Sequence, residues 1–275
     1  MKNCYLVGLI YVAASTLSAF AGTDAKDMKE IAAVPAPITS DAGFYLALEG
    51  GANFSQSHDR KQIETGNGPG SLTGTATNYG SGDDGIGAVG GVKFGYNFES
   101  YDIGDGFGLQ PAVEEEVMYV GSYDKNKYTI ASANGGFGPF TGFPYSTRDT
   151  FNNVAFLTNG IVRFKTGTLF TPYLGLGVGG EYVTNDHVKL KNIGNAQAGN
   201  MSDGNSLNVA ANALIGFDIE VAKGWDLFTE YKYLVAFDPV LSNTITTSPG
   251  TTFTYASKLG WYSQNLVTAG IKYNF

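Results

Sequence analysis

The sequence predicts an all-β chain: an eight-stranded antiparallel transmembrane up-and-down β-barrel with short periplasmic turns and four long extracellular loops. Three observations lead there. Apolar and polar residues alternate through eight separate segments, as they do on a strand with unlike faces. The links between these segments are alternately short and long. No uninterrupted apolar run of about 18 residues lies beyond the N-terminus, which sets aside a helical membrane protein. A formal charge of -8 also argues against nucleic acid as a partner, because phosphate binding needs a concentrated Lys/Arg surface.

Residues 1–21 combine Lys2, an apolar run and Ala19-Phe20-Ala21 before Gly22, the layout of a secretory signal peptide. Its removal takes Cys4 with it, leaving no thiol for a disulfide, a nucleophile or a lipid anchor. Residues 22–42 have no period of two, and Pro35 and Pro37 interrupt any ladder; they read as a periplasmic lead-in. The barrel is expected over 43–275.

Strand one, 44–54, sets Phe44, Leu46, Leu48, Ala52 and Phe54 against Tyr45, Ala47, Glu49, Gly51 and Asn53. Strand two, 86–98, sets Val92, Phe94, Tyr96 and Phe98 against Gly91, Lys93, Gly95 and Asn97. Strand three covers 107–120. Strand four, 150–164, places Val154, Phe156, Val162 and Phe164 opposite Asn153, Asn159 and Arg163. Strand five, 169–182, turns Leu174, Leu176 and Val178 outward and Gly175, Gly177, Gly179 and Glu181 inward. Strand six spans 207–221. Strand seven, 225–237, opposes Leu227, Tyr231, Tyr233, Val235 and Phe237 to Asp226, Glu230 and Lys232. The last strand, 261–275, alternates Val267, Ala269, Ile271, Tyr273 and Phe275 with Gln264, Thr268, Gly270, Lys272 and Asn274. Links 99–106, 165–168 and 222–224 are short, whereas 55–85, 121–149, 183–206 and 238–260 are long, the asymmetry of outer-membrane barrels.

GFYLALEGG from Gly43, PYLGLGVGG from Pro172 and the closing IKYNF resemble the opacity-type branch of the eight-stranded OmpA-like outer-membrane β-barrels. The resemblance spans nearly all of the mature chain. It implies that Ile271, Tyr273 and Phe275 act as a C-terminal assembly signal read by the barrel-assembly machinery, and that the chain resides in the outer membrane of a Gram-negative envelope among its lipid and lipopolysaccharide. With Phe275 closing the last strand, no periplasmic peptidoglycan-binding domain is expected after it.

Alternation alone also fits a soluble barrel with apolar residues inside. Glycines on the polar face, including Gly51, Gly91, Gly95, Gly175, Gly216 and Gly270, fit a crowded lumen better than a solvated surface, and aromatics gather at strand ends as in interfacial girdles. Glu114, Glu115 and Glu116 are consecutive, so alternation sends Glu115 to the lipid face unless a bulge near Pro111 shifts the register. The remaining charges of the polar face, Glu49, Lys93, Glu114, Glu116, Arg163, Asp218, Glu220, Glu230, Lys232 and Lys272, must pair in so narrow a space, which makes them a lumen charge network and a plug.

Candidate chemistry is sparse. Ser57-His58-Asp59 and His187 read as loop surface rather than catalytic groups, since adjacent residues of an extended chain point apart. The Asp/Gly turns 81–85 and 203–205 match no calcium loop, so neither catalytic residues, a metal nor a cofactor is expected. The second long loop carries Phe137, Phe140, Phe143 and Tyr145, a loop aromatic patch that either folds back over the mouth or grips a partner. The expected function is that of a non-enzymatic cell-surface barrel with a structural role in the envelope, or adhesion to a host, matrix or neighbouring-cell ligand. A small porin-like pore or hydrophobic-ligand conduit is the alternative, and a lipid-modifying envelope enzyme comes third.

Overall fold

The computed structural model describes residues 42–55, 59–67, 73–82, 85–104, 106–135, 142, 144–192, 198–247 and 251–275. The expected signal and most of the lead-in lie outside the described residues, as do Ser57, His58, Phe137, Phe140 and Phe143. Fourteen strands form one sheet: β1 (Gly43–Ser55), β2 (Asp59–Asn67), β3 (Gly74–Gly82), β4 (Gly85–Asn97), β5 (Tyr101–Gly104), β6 (Phe107–Ala133), β7 (Pro144–Lys165), β8 (Phe170–Asn192), β9 (Ala198–Asn200), β10 (Gly204–Ala222), β11 (Trp225–Phe237), β12 (Val240–Thr247), β13 (Thr251–Lys258) and β14 (Trp261–Asn274).

Eight of these are staves. β1, β4, β6, β7, β8, β10, β11 and β14 pair antiparallel in that order, and β14 pairs back onto β1, so the ring has no free edge. Its stagger follows from the register. Beginning at Tyr45, successive partners are Gly95, Glu114, Asn159, Gly177, Asn212, Leu234 and Gln264, and Gln264 returns to the first strand at Ser55. Numbers 45 and 55 differ by ten residues, and with eight staves that shear corresponds to a tilt of about 40°. Such a ring is just wide enough for side chains to fill.

The outer wall is apolar. Leu46, Leu48, Val92, Phe94, Leu174, Leu176, Val178 and Ile215 are exposed although large. Aromatics rim both ends: Phe44, Phe98, Trp225 and Phe275 near the turns, and Phe54, Tyr119, Tyr182, Phe237 and Trp261 near the long connections. Ten residues of β1 separate Phe44 from Phe54, about 25 Å of height at this tilt, the depth of an outer-membrane apolar band. In water such a surface would cost more than the fold could offset. In a bilayer it is the matched face, so the chain is a membrane-spanning β-barrel of the outer-membrane kind.

Glu115 lies in the middle of that belt. No bulge rescues it: Pro111 pairs in register with Val162, and Glu115 pairs with Thr158, whose Oγ1 donates to its two carboxylate oxygens at 3.0 and 2.9 Å. A lipid-facing carboxylate with one hydrogen-bonding neighbour remains costly, and Glu115→Val is expected to raise stability in bilayers by about 1–2 kcal/mol, measured by urea unfolding. An unchanged or lowered midpoint would show that Glu115 is needed where it stands.

The inner face fits around large aromatics. Tyr45, Tyr173 and Phe228 point inward, and their register partners are Gly95, Gly216 and Gly270. A Cβ on these glycines would lie 2.3, 2.6 and 2.5 Å from the opposing ring, so each ring fills the room its partner glycine leaves empty. Gly95→Val is expected to cost about 1–3 kcal/mol by overpacking, read from the same unfolding curves.

The four long connections are not irregular loops. Strands β6, β7 and β8 continue past the girdle, and β2–β3 and β12–β13 are hairpins; β12, β13, β2, β3, β6 and β7 stand side by side. Met201 N donates to Val188 O of β8 at 2.9 Å and Ser202 N to Thr244 O of β12 at 2.7 Å, closing a second ring above the first. Alternation persists there, but the outer face is largely polar and the inner face mixes polar with apolar residues, so no clean apolar period marks it: Asp124, Asn126 and Tyr128 point in while Tyr123, Lys125 and Lys127 point out.

Candidate functional site: a layered lumen

Parity on the staves directs one residue in two into the lumen, and these side chains fill it in alternating layers. Nearest the turns, Lys272 Nζ lies 2.5 Å from Asp218 and 3.0 Å from Asp226, and Arg163 Nε lies 3.3 Å from the same Asp218 oxygen. The Arg163 guanidinium is stacked between Tyr45 and Tyr173, with ring centroids at 5.0 and 5.5 Å. Two cations face two carboxylates, so this layer is neutral.

The next layer is not. Lys93 Nζ lies 2.9 Å from Glu230, 3.4 Å from Glu49, 3.6 Å from Glu114 and 3.8 Å from Glu116; Lys232 contacts Glu116 directly and Glu230 at 3.2 Å. Two lysines against four glutamates leave a formal charge of -2 in a buried space. Neutral donors take up the excess: Tyr45 Oη to Glu114 at 2.8 Å, Tyr173 Oη to Glu230 at 3.1 Å, Asn159 Nδ2 to Glu116 at 2.8 Å, and Thr268 Oγ1 to Glu49 at 3.0 Å. Oxygens of Glu49, Glu116 and Glu230 lie within 4.8 Å of one another, close enough to share a cation. Lys93 and Lys232 stand among them and already supply positive charge there.

Above this lies an apolar layer of Val89, Met118, Val120, Leu157, Leu234 and Leu266. Glu181 follows, receiving Gln264 Nε2 at 2.6 Å and Asn153 Nδ2 at 2.9 Å, and then Phe151, Val183, Leu241, Leu259 and Tyr262. Beyond the membrane, Arg60 from the β2 hairpin reaches Asp124 at 3.0 Å and Asp149 at 3.7 Å. Burial lifts the Asp149 carboxyl to about 6, with the Arg60 charge opposing. The uppermost cluster holds Tyr128 stacked on Tyr145 at 5.2 Å, with Ile130, Val188, Phe253 and Tyr255.

In that uppermost layer Glu64 accepts from Tyr255 Oη at 2.9 Å and from Asn78 Nδ2 at 3.3 Å. Burial raises its carboxyl above the ordinary range, and those two hydrogen bonds only partly counter it. A raised folded value means that the protonated form suits the folded state, so stability is greatest below the ordinary Glu range and falls as pH rises through the folded value. Glu64→Gln is expected to flatten this dependence and to protect the β2–β3 hairpin from protease at neutral pH. Cleavage with the wild-type pH profile would overturn that expectation.

Nine of the ten charges expected in the lumen stand there. Glu220 does not: it is exposed at the turn end of β10, where the pairing with β11 slips between Glu220 and Ala222. Tyr145 of the expected aromatic patch faces inward and caps the upper ring; its three phenylalanine companions lie outside the described residues. His187 is exposed on β8. Sequence reasoning passed over Asp226 as a partner for Lys272, although it had been placed on the inner face. It also missed Arg60, Asp124 and Asp149, which fall in segments read as loops.

No protein-family model matches this chain, and no curated protein does. Among solved structures, Neisserial surface protein A is similar at 16% identity over 85% of this chain and 97% of that chain, with a TM-score of 0.39. The outer membrane protein OprG from Pseudomonas aeruginosa is similar at 13% identity over 86% and 98%, TM-score 0.39, and the outer membrane protease OmpT from Escherichia coli at 7% over 86% and 98%, TM-score 0.37.

Proposed function

We propose that the chain is a non-enzymatic surface barrel whose work is done by its extracellular wall and rim rather than through its lumen. The observation that carries this reading is the layered filling: paired charges, apolar side chains and stacked tyrosines succeed one another from the turns to the cap. A permeation path would need these layers to part, and each charged layer would then expose unpaired groups. Strands extended well past the membrane and closed into a second ring offer instead a firm platform for contact with a neighbouring cell, a matrix or the envelope itself. Assembly belongs to the same proposal: Ile271, Tyr273 and Phe275 face outward on the closing strand, and Phe275 N donates to Phe44 O at 3.0 Å across the seam.

Planar-bilayer recording of the reconstituted barrel tests the reading. No stable large conductance is expected, and reproducible ion-selective openings would replace it with a pore. In parallel, Phe137, Phe140 and Phe143 changed together to Ser should lower attachment of expressing cells without altering barrel stability. Lost stability with attachment intact would turn the patch into part of the cap.

A further inference from the structure

Inside the barrel, buried carboxylates such as Glu49, Glu114, Glu116, Asp149, Asp218 and Glu230 are met by the buried cations Arg60, Lys93, Arg163, Lys232 and Lys272. On the outer wall beyond the extracellular girdle, three cations stand together instead. Lys125 on β6, Arg148 on β7 and Lys189 on β8 are exposed and directly opposite one another, Lys125 pairing with Arg148 and Arg148 with Lys189. Like charges in facing positions of a sheet repel, so three in a row cost stability unless something negative lies over them. The nearby acid, Asp186, is engaged by Asn152 Nδ2 at 2.7 Å.

The backbone is bent to make this row. His187 has φ of 53°, and the β7–β8 register slips by one residue between Arg148 and Thr150. Continued without the slip, the pairing would bring residue 188 opposite Arg148 and turn residue 189 into the lumen. With it, Val188 joins the buried cap and Lys189 stands outside beside Arg148. A non-glycine residue at positive φ is uncommon, and bulges of this kind serve to re-aim a side chain.

Height and order identify the ligand. Lys125 is two residues beyond the exposed Tyr123, about 5 Å farther from the membrane at this tilt. Descending β6, the outward residues are Lys125, Tyr123, then Tyr119, then Val117, which pairs with the exposed Phe156. Cation, aromatic ring and apolar surface follow in the order phosphate, sugar and acyl chain. We propose that Lys125, Arg148 and Lys189 form a site for the phosphate groups of the phosphorylated glycolipid in the outer leaflet. This rests on the membrane-barrel reading given above.

The test uses the full chain in detergent micelles and a fluorescent bis-phosphorylated lipid A, with its dephosphorylated form as the second probe. Changing Lys125, Arg148 and Lys189 together to Gln should weaken binding of the phosphorylated lipid about a hundredfold, and Lys125→Gln or Lys189→Gln alone about fivefold, from the attraction of an exposed cation to an anionic surface. The dephosphorylated lipid should bind wild type and variants alike. Equal binding of phosphorylated lipid by wild type and the triple variant overturns the site. So does displacement of the lipid by heparin at equal molar charge, which would identify a soluble polyanion. Heat-modifiable electrophoretic mobility of the same samples reports whether the barrel has formed, so failure of the membrane reading is seen separately from failure of the site.

Discussion

Replacing Lys93 by methionine is expected to destabilise the barrel by about 3–5 kcal/mol, because removing one partner of a buried ionic group leaves its counter-charges uncompensated. Lys93 approaches four carboxylates within 3.8 Å, and without it Glu49 and Glu114 lose their ammonium partner while Lys232 remains paired with Glu116 and Glu230. The loss should appear as an earlier urea midpoint and as weaker heat-modifiable mobility. Adding Glu230→Gln to the variant should recover part of it, since the two positions share a contact and their effects do not add. An unchanged midpoint for Lys93→Met would mean that water or protons enter the layer freely, and the plug described here would fail with it.

Arg60→Ala is the second large effect. Arg60 joins the β2 hairpin to the extended staves through Asp124 and Asp149, and its guanidinium lies 5.4 Å from the Phe151 ring centroid. Its loss leaves two buried carboxylates without that cation, a cost of about 3 kcal/mol or more that falls on the upper ring rather than on the staves. Limited proteolysis should therefore cut within residues 59–82 while the membrane-embedded part keeps its folded mobility. Resistance equal to wild type would show that the hairpin is held by its backbone pairing alone.

The staves could be read from the sequence because lipid favours an apolar residue at every second position, a rule that Glu115 breaks but that Leu174, Leu176 and Val178 keep, so they announce a face by themselves. Charges on the opposite parity follow automatically, which is why Lys93, Glu116, Arg163 and Lys232, all buried, fall on the inner face without any knowledge of their partners. The partners were another matter. Lys93 finds Glu230 across 137 positions of chain, and no local pattern encodes which charges meet across a lumen. Outside the membrane the rule lapses, since water accepts polar residues on one face and the ring's interior accepts them on the other. Strands such as β2 and β3 therefore looked like loops, and the row at Lys125, Arg148 and Lys189 was invisible because a single bulge at His187 decides which way Lys189 points.

The upper ring also changes how the barrel can come apart. In a ring of staves the weakest line is where first and last strands meet, and here β1 and β14 are matched from Tyr45 opposite Asn274 to Ser55 opposite Gln264. The line does not stop at the membrane. Beyond it β2 continues from β1, β13 leads into β14, and these two pair from Asn67 opposite Thr252 to Lys61 opposite Lys258. The zipper is thus stitched twice, once in lipid and once in water, by segments that enter the cell surface at opposite ends of synthesis. A lateral opening between the first and last strands would leave their continuations still fastened above it, and under mechanical load the seam should yield in two separate steps.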